Sequence, residues 1–444
     1  MSHSADNHIN PPEGWQGYNC QNLAIRGARL FDPELKLDMV SDIVILEGKI
    51  SSIGPIPKDF GGDIIEGKEL TVCPGLFDMH VHLREPGYEY KETVQSGCLA
   101  AVAGGFTGVA PMPNTNPPTD TPATVNFIRQ QSAGTPVDVH PIGAITAGRK
   151  GDQLSEMAEL NKAGVTGYSD DGSPVPTAEL MRLALEYTMM SNSVIIEHAE
   201  DTSLSGKGVM DEGAVSTALG LPGWPSIAED IDVYRCIRLA EYTGGRIHIA
   251  HLSTKESVQL VREAKARGVN VTAETTPHHL TLDCTILEGY NSNYKVNPPL
   301  RTKADIDALI EGLKDETIDA IATDHAPHAH DEKEVEFILA PFGMIGLETA
   351  LGVVLTKLVK TKKITLSRAV QALSNAPRRI LNLPVAKIEV GAIANLTIFN
   401  SDEKWTVDGT KMLSKSQNTP FGGWELTGRA TGVVNKGIAF VRRD

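Results

Sequence analysis

Eight apolar, strand-like segments alternate with eight segments of helical periodicity across the middle of this chain. The strand candidates are FDMHVHL, FTGVAPMPN, VDVHPIGAIT, VTGYSDDG, VIIEHAED, RIHIAHLS, VNVTAETT and IDAIATDH. The helix candidates are 91–103, 121–131, 154–163, 178–190, 226–242, 255–267, 303–313 and 346–359. Successive βα units favour an α/β fold, a parallel (β/α)₈ TIM barrel. A doubly wound open sheet is the alternative, but no G-x-G-x-x-G follows the first strand to support a dinucleotide-binding version.

Short strand patterns flank this region at both ends of the chain, over 23–65 and again in GAIANLTIFN, WTVDG and TGVVNKGIAFVRR. Each terminal piece is too small to enclose a core, so we expect the two to pack together as one small β-sandwich side domain. The predicted organisation is a flexible N-terminal tail at 1–18, sandwich parts at 19–72 and 385–444, and the barrel at 73–384.

Composition limits the class of protein. The five cysteines are scattered without a C-x-x-C pair, which is typical of a reducing cytosol. The first twenty residues lack a signal-peptide core, and no window approaches the roughly 18 apolar residues of a membrane helix. A net charge of −15 argues against nucleic-acid binding, although a local arginine pocket can still hold a small anionic substrate. We therefore expect a cytoplasmic protein that binds neither membrane nor nucleic acid.

Polar residues recur where the barrel strands end, which is where the catalytic groups of such barrels lie. In chain order they are His80, His82, Arg84, Asn114, Asp170, Asp171, His198, His251, Asn297, Asp324, His325 and His328. Imidazole and carboxylate suit Zn²⁺, and the number of candidate ligands exceeds the four of a single tetrahedral site. The sequence therefore predicts two zinc ions that share a bridging carboxylate, with a single zinc as the alternative.

Strand parity separates neighbouring candidates. His248 and His251 are three residues apart, so only one of them can point into the mouth of the barrel, and His251 lies nearer the catalytic end. Asp170 and Asp171 are adjacent and cannot both point inward. The pattern alone leaves open which aspartate does so.

Several of these segments together resemble one family. FDMHVHLREPG, APMPNTNPP, SDDG, EHAED, HLSTKES, TPHHL, NPPLR and ATDHAPH are similar, in the same order and over nearly the whole chain, to bacterial type I dihydroorotases of the amidohydrolase superfamily. The resemblance implies one zinc on His80 and His82, a second on His198 and His251, and Asp171 as the bridge. Asp324 is implied as both a ligand and the catalytic acid/base. The implied substrate-binding residues are His82, Arg84, Asn114, Asn297, His328, Phe342 and Gly343.

The implied reaction is the reversible, zinc-dependent cyclisation of N-carbamoyl-L-aspartate to L-dihydroorotate in pyrimidine biosynthesis. In the hydrolytic direction a hydroxide held by the metals attacks the ring amide, and Asp324 moves the proton. The resemblance also implies a homo-oligomer and association with aspartate carbamoyltransferase.

Two alternatives remain on the same fold. The first is another cyclic amidase, such as a hydantoinase or allantoinase. Many relatives bridge their metals with a carbamylated lysine on strand four, but VTGYSDDG contains no lysine, which counts against a hydantoinase. The second is a non-catalytic interaction protein. All six ligand positions carry a residue that can bind metal, and this argues against the second alternative.

The remaining polar features are expected to be structural or solvated. The charged run at 330–336 predicts an exposed loop at the mouth, with a mobile lid as the alternative. Asn395 stands where the resembled family usually has aspartate, and we expect a harmless surface change. Histidines expected to pack, to orient a neighbour or to face solvent are His3, His8, His140, His278, His279 and His325.

Overall fold

The structure, a computed structural model, describes residues 9–443, so His3, His8 and the first part of the predicted tail lie outside the described residues. Six strands open the chain: β1 (Trp15–Asn19), β2 (Asn22–Asp32), β3 (Leu37–Leu46), β4 (Lys49–Ile53), β5 (Asp63–Glu66) and β6 (Leu70–Pro74). The predicted end of the tail, residue 18, falls inside β1. That boundary was wrong because β1 pairs along its whole length with the last strand of the chain.

The middle of the chain forms the parallel barrel. Its strands are β7 (Leu76–Val81), β8 (Phe106–Pro111), β9 (Asp138–Val139), β10 (Gly167–Tyr168), β11 (Val194–Glu197), β14 (Arg246–Ile249), β15 (Val271–Thr275) and β16 (Ala320–Ile321), with the short pair β12 (Met210–Asp211) and β13 (Gly223–Trp224) outside it. Parallel bridges from Gly143 to Tyr168 and from Val81 to His325 join the two sheets into a closed ring. The predicted eight-stranded barrel is confirmed, and the open-sheet alternative is wrong.

Helices fill the connections between these strands. They are α1 (Val94–Gly104), α2 (Pro122–Gln131), α3 (Met157–Ala163), α4 (Ala178–Thr188), α5 (Thr202–Ser205), α6 (Ala214–Leu219), α7 (Ile227–Thr243), α8 (Lys255–Ala266), α9 (Lys303–Lys314), α10 (His330–Lys333), α11 (Leu347–Val354), α12 (Leu366–Leu373) and α13 (Asn375–Ile380). Thr121, Thr177 and Thr254 each precede a helix and accept a hydrogen bond from its third backbone N–H, which fixes where the helix begins. Within residues 9–443, no helix has both the length and the apolar character needed to cross a membrane.

The C-terminal strands complete the side domain. They are β17 (Leu396–Thr406), β18 (Glu425–Asn435) and β19 (Ile438–Arg442). β17 pairs with β6 and β19 pairs with β1, so both ends of the chain share one nine-stranded sheet. One buried cluster of this sheet takes residues from both ends of the chain, including Leu23, Ile43, Leu396, Val434 and Ala439. The predicted union of the two terminal pieces is confirmed.

The side domain and the barrel meet at Gly75, between β6 and β7. A Cβ at Gly75 would lie 1.9 Å from Oδ1 of Asn395 and 2.2 Å from Oγ1 of Thr107, so only glycine fits this close approach. Asn395 accepts from Thr107 (2.6 Å) and donates to Oδ1 of Asn435 (3.1 Å). The expectation of a harmless surface position was therefore wrong, because this amide uses both its oxygen and its nitrogen between the two domains.

Candidate active site

Asp171 lies among four histidines that the carboxyl ends of the barrel strands bring together. Its Oδ1 is 3.2 Å from Nε2 of His80, 3.6 Å from Nδ1 of His198 and 3.7 Å from Nε2 of His251. Its Oδ2 is 3.5 Å from Nε2 of His82. All five side chains are buried. The carboxylate thus sits between the histidines of strand one and those of strands five and six.

Asp324 completes this group of six predicted ligands. Its Oδ1 lies 2.9 Å from Nε2 of His82 and 3.6 Å from Nε2 of His80. Asp324 and His251 both have positive φ, 47° and 32°, which is rare for residues with a side chain. Such backbone strain is typical of functional sites. The structure brings all six side chains together, and their roles as ligands stay predictions.

The structure also separates the adjacent aspartates. Oδ1 of Asp170 accepts hydrogen bonds from the backbone N–H groups of Ile145 (2.9 Å) and Thr146 (3.1 Å), and Oδ2 accepts from the Thr146 hydroxyl. Asp170 is therefore engaged with the end of the third barrel strand. Asp171 is the one that faces the histidines.

Of the two histidines on strand six, His251 lies in the group around Asp171, and His248 lies behind that group. His248 has Nδ1 2.8 Å from Oγ1 of Thr272 and Nε2 3.3 Å from Oε2 of Glu274. The other carboxylate oxygen of Glu274 is 2.6 Å from Nδ1 of His80. Burial raises the pKa of Glu274, but the two histidines outweigh it and hold the pKa at about 2. Sequence reasoning missed Glu274, although a glutamate inside the apolar strand VTAET was a usable signal.

His82 and His198, like His80, each have one ring nitrogen held by a neighbouring side chain. Nδ1 of His82 donates to Oδ1 of Asn114 at 2.8 Å, which leaves Nε2 to face the carboxylates. Nε2 of His198 lies 3.3 Å from Oε2 of Glu200, which leaves Nδ1 to face Asp171. Such partners fix the ring orientation of metal-binding histidines. Glu200 is a second residue that sequence reasoning missed.

The donor atoms at the centre fit a metal ion. Within residues 9–443, Nε2 of His80 and Oδ1 of Asp171 are buried and lack any hydrogen-bond partner. Burial lowers the pKa of His80, but the Asp171 and Glu274 carboxylates together hold it well above its usual value. Burial raises the pKa of Asp171, yet His80, His198 and His251 hold it well below its usual range. A buried nitrogen and oxygen donor set that concentrates charge in this way suits Zn²⁺.

The residues predicted to hold the substrate surround this centre. Arg84 donates through Nε to the carbonyl of Pro327 (3.1 Å), and its Nη2 is 3.4 Å from Nε2 of His328. His328 in turn donates to the carbonyl of Phe342 at 2.8 Å. Gly343 has a φ of 127°, and a Cβ there would lie 3.1 Å from His328 Nε2. Backbone conformation and space both explain glycine at this position.

Asn114 and Asn297 lie beside different histidines of the centre. Asn114 contacts His82, whereas Nδ2 of Asn297 donates to Oε2 of Glu200 at 3.3 Å, beside His198. Oδ1 of Asn297 is buried and unpaired within the described part of the chain. A cavity of about 700 Å³, lined among others by Gly172, Glu200, Asn297 and Phe342, opens beside it. The cavity has room for a small ring substrate.

The segment at 330–336 differs from its prediction. It is not simply a solvated loop, because α10 forms within it and the Lys333 side chain is buried, donating to the carbonyls of Ser292 (3.0 Å) and Pro341 (2.8 Å). Lys91, which sequence reasoning also missed, has Nζ 2.9 Å from Oε1 of Glu332 and 3.3 Å from Nδ1 of His328. The segment is thus anchored over the mouth.

The structure gives three other histidines packing or orienting contacts. His279 contacts Oγ1 of Thr276 (2.9 Å) and the carbonyl of Pro298 (3.0 Å), as expected for loop packing. His325 accepts from the N–H of Gly346 (3.2 Å), so it orients the start of α11, as predicted. His140 packs against Phe77, with ring centroids 5.7 Å apart. His278 is buried, and burial lowers its pKa to about 3.

The chain is similar over most of its length to proteins of one family. Residues 69–257 match the family model described as dihydro-orotase-like. The chain is 50% identical to a dihydroorotase of Pelotomaculum thermopropionicum over 91% of this chain and 95% of that protein. It is 49% identical to a dihydroorotase of Geobacter sp. strain M21 over 94% and 98% of the two chains.

Solved structures share the fold. An L-hydantoinase (dihydropyrimidinase) from Arthrobacter aurescens has a TM-score of 0.82 at 24% identity, covering 93% of this chain and 94% of that one. A dihydropyrimidinase from Brevibacillus agri has a TM-score of 0.83 at 21% identity, covering 95% and 96%. At such identities the likeness concerns the barrel and side domain alone. The sequence relatives are the ones that decide the family, and the chain belongs to the dihydroorotases.

Proposed function

We propose that this protein is a dihydroorotase that interconverts N-carbamoyl-L-aspartate and L-dihydroorotate. One observation carries the proposal: Asp171 lies within 3.7 Å of four imidazoles, and Arg84 and two asparagines surround that centre. The mouth of the barrel thereby combines residues suited to hydrolytic metal chemistry with residues suited to bind an anionic ring. The relatives named dihydroorotase, about half identical over most of the chain, support the same reading.

Two zinc ions fit the residues present. His80, His82 and Asp324 would hold one, His198 and His251 the other, and Asp171 would bridge them; the site geometry is compatible with this set. When bound, the ions supply Lewis acidity, which lowers the pKa of water towards neutrality and polarises the amide carbonyl. A single ion on His80, His82 and Asp324 is the alternative.

Arg84, Asn114 and Asn297 hold the substrate in this proposal. The planar guanidinium of Arg84 matches a carboxylate with two parallel N–H donors. The Asn114 amide nitrogen is available for the ring because its oxygen already accepts from His82. Oδ1 of Asn297, buried without a partner within residues 9–443, is placed to accept from a ring N–H. These contacts explain how a chain with a net charge of −15 binds an anion.

Asp324 moves the proton. Burial raises its pKa, but His82, His80 and His251 outweigh it and hold the pKa below the usual range, so the carboxylate is ionised. In hydrolysis it takes the proton of the attacking water and passes it to the departing ring nitrogen. In cyclisation the same carboxylate takes the proton of the attacking carbamoyl nitrogen and passes it to the hydroxyl that leaves the substrate carboxyl group, so that water departs. His82 positions this carboxylate from 2.9 Å away.

The choice between dihydroorotase and hydantoinase depends on whether the substrate carries a carboxylate. Hydantoin offers the same ring amide but lacks the carboxylate that Arg84 would bind. A carboxylate from strand four, Asp171, faces the histidines where many relatives have a carbamylated lysine, and this supports the dihydroorotase assignment. We therefore assign the protein to the anionic substrate.

We also propose a cytoplasmic location and assembly into a homo-oligomer, with aspartate carbamoyltransferase as a further partner. The five cysteines support the location, since all are buried and unpaired, as expected in a reducing compartment. Co-sedimentation of the purified protein with aspartate carbamoyltransferase tests the second partner. Independent sedimentation at micromolar concentrations of both would contradict it.

The proposed activity is tested by turnover of L-dihydroorotate, N-carbamoyl-L-aspartate, hydantoin and allantoin by the zinc-loaded full-length protein. We expect the first two to be interconverted, and hydantoin and allantoin to show at least about a hundredfold lower kcat/KM because they leave Arg84 unpaired. Faster turnover of hydantoin or allantoin would overturn the assignment. No turnover of any of the four by a protein that binds zinc would favour the non-catalytic alternative.

A further inference from the structure

The connection between β17 and β18 brings backbone of the side domain to the mouth of the barrel. We call residues 413–418 the 413–418 segment; its side chains contact the loops that follow the first and last barrel strands. Phe421, shortly after the segment, is buried in one apolar cluster with Met344 and Leu426. This packing fixes the end of the segment against the barrel.

Asn418 uses both ends of its side-chain amide on the backbone of two mouth loops. Oδ1 accepts from the N–H of His328 at 3.1 Å, and Nδ2 donates to the carbonyls of Ala326 (3.1 Å) and Gly343 (3.2 Å). The backbone carbonyl of Asn418 also accepts from the N–H of Ile345 at 3.1 Å. The residue is only 4% exposed. A buried amide that is satisfied in this way holds its partners in one fixed arrangement.

The two loops that Asn418 joins carry residues of the proposed substrate pocket. Nε2 of His328 lies 3.4 Å from Nη2 of Arg84, the residue proposed to bind the substrate carboxylate. A Cβ at Gly343 would lie 2.8 Å from the Cβ of Ala326, so the loops are in close contact. Because Asn418 bonds both loops, its removal would free His328 to shift relative to Arg84.

A second member of the segment holds the first mouth loop. Ser416 donates to the carbonyl of Lys91 at 2.7 Å, and Nζ of Lys91 lies 3.3 Å from Nδ1 of His328. Ser414 donates to Oε2 of the neighbouring Glu92 at 2.5 Å. The segment therefore contacts His328 through its backbone and also supports the lysine that contacts its ring.

We propose that Asn418 is a positioning residue, which holds His328 and the turn at 342–343 where the carboxylate of the substrate is received beside Arg84. Its amide is engaged by backbone groups, so it acts through these residues rather than on the substrate. The inference rests on the proposed function, since it requires a substrate with a carboxylate. A contact made equally in the ground state and the transition state affects KM rather than kcat.

The test is steady-state hydrolysis of L-dihydroorotate by the zinc-loaded full-length protein and its Asn418→Ala variant. We expect KM to rise about tenfold and kcat to change less than about threefold, because a displaced His328 misaligns the carboxylate but leaves the metal ligands in place. Metal analysis should show unchanged zinc content. An unchanged KM, or a kcat that falls as much as kcat/KM, overturns the proposal.

Asn375→Ala is the matched control. Asn375 is also a buried asparagine, and its amide donates to the carbonyl of Ala386 and accepts from the N–H of the same residue, both at 3.1 Å. It follows Ser374, which donates to the carbonyl of Gly75 just before the first barrel strand, at the end opposite the mouth. Both variants should unfold at a lower temperature, but only Asn418→Ala should raise KM. An equal rise of KM in both variants would reduce Asn418 to a general structural role and overturn the proposal.

Asn418→Asp covers the case in which the alanine variant does not fold. Aspartate keeps the size of the side chain and the oxygen that accepts from His328, but it places a second oxygen against the carbonyls of Ala326 and Gly343. We expect KM to rise in this variant as well. A folded Asn418→Asp variant with the KM of the wild type contradicts the proposal.

Combining Asn418→Ala with Arg84→Lys tests whether the two residues serve the same carboxylate. Substitutions that act on one contact are not additive, so Asn418→Ala should raise KM clearly less in the Arg84→Lys background than in the wild type. Increases that multiply in full overturn the proposal. A wild type that does not turn over dihydroorotate overturns the proposed function and this inference with it, whereas turnover that is insensitive to Asn418 overturns this inference alone.

Discussion

Oε1 of Glu274 lies 2.6 Å from Nδ1 of His80, and both side chains are fully buried. The contact leaves Nε2 of His80 directed at Asp171, 3.2 Å away. A buried carboxylate behind a histidine fixes its tautomer and increases its basicity as a ligand. Glu274 also contacts His248, so strands one, six and seven of the barrel converge on this carboxylate.

Replacing Glu274 by glutamine should weaken zinc binding. Glutamine keeps the size and a hydrogen-bonding oxygen but removes the charge that stabilises His80, and loss of such a partner costs about 10–100-fold in metal affinity. Competition with a chromophoric chelator measures the change. Glu263→Gln, on the exposed side of α8, is the matched control and should leave zinc affinity unchanged. Equal affinity in both variants would exclude a role for Glu274 in metal binding.

The adjacent aspartates should respond differently to the same substitution. Asp171→Asn removes the carboxylate that faces four imidazoles, so we expect loss of at least one zinc per chain and about a thousandfold or greater loss of kcat. Asp170→Asn keeps an oxygen that can accept from Ile145 and Thr146, and we expect roughly 1–2 kcal/mol of lost stability with zinc retained. Metal analysis and thermal unfolding of both variants separate the outcomes. A wild type that turns over with a single zinc would limit Asp171 to a local ligand.

The barrel was predictable from the alternation of strand and helix periods, and the strand ends predicted where the ligand candidates lie. The choice of Asp171 over Asp170 came only from the family resemblance, because parity left it open. His80 and His82 are two residues apart on one strand, which alone places them on the same side. Parity also excluded one of His248 and His251, and the structure agrees with the choice of His251. These predictions depend on local geometry that the sequence determines.

Partners distant in sequence were not predictable in the same way. Glu274 is 194 residues from His80, and no periodicity links the two positions. Asn395 was expected at the surface because its hydrogen bonds are made to Thr107 and Asn435. Only the junction of the two domains brings these two residues together. Strand β1 was missed because its pairing energy comes from the far end of the chain. Short polar strands of this kind are specified by their partners rather than by their own composition.

Replacing Arg84 by lysine should impair substrate binding more than the chemical step. Lysine keeps the charge but cannot present two parallel donors to a carboxylate. We expect KM for dihydroorotate to rise about 10–100-fold with a smaller change in kcat, in line with loss of a charge-assisted hydrogen bond. Arg262→Lys, at a surface pair with Asp315, is the control and should leave both parameters unchanged. An unchanged KM in Arg84→Lys would exclude the proposed carboxylate contact.

Zinc affinity should rise with pH through the neutral range. In the metal-free protein the carboxylates around His80 hold its pKa well above the usual value, and Asp171 and Glu200 outweigh burial to raise the pKa of His198 to about 10. Both imidazoles are therefore protonated near neutrality, whereas a metal ligand must be neutral, so binding must displace protons. Affinity should fall about tenfold per pH unit for each proton displaced as the pH is lowered. Calorimetry at one pH in two buffers of different ionisation enthalpy counts the protons released. The chelator competition, repeated between about pH 6 and about pH 8, measures the slope of affinity against pH.

Glu200→Gln should lower the pKa of His198 and reduce the slope at the second zinc site, because one of the two carboxylates that raise this pKa is gone. A flat affinity profile with no proton release would show that the histidines are already neutral, and that their charge does not oppose the metal.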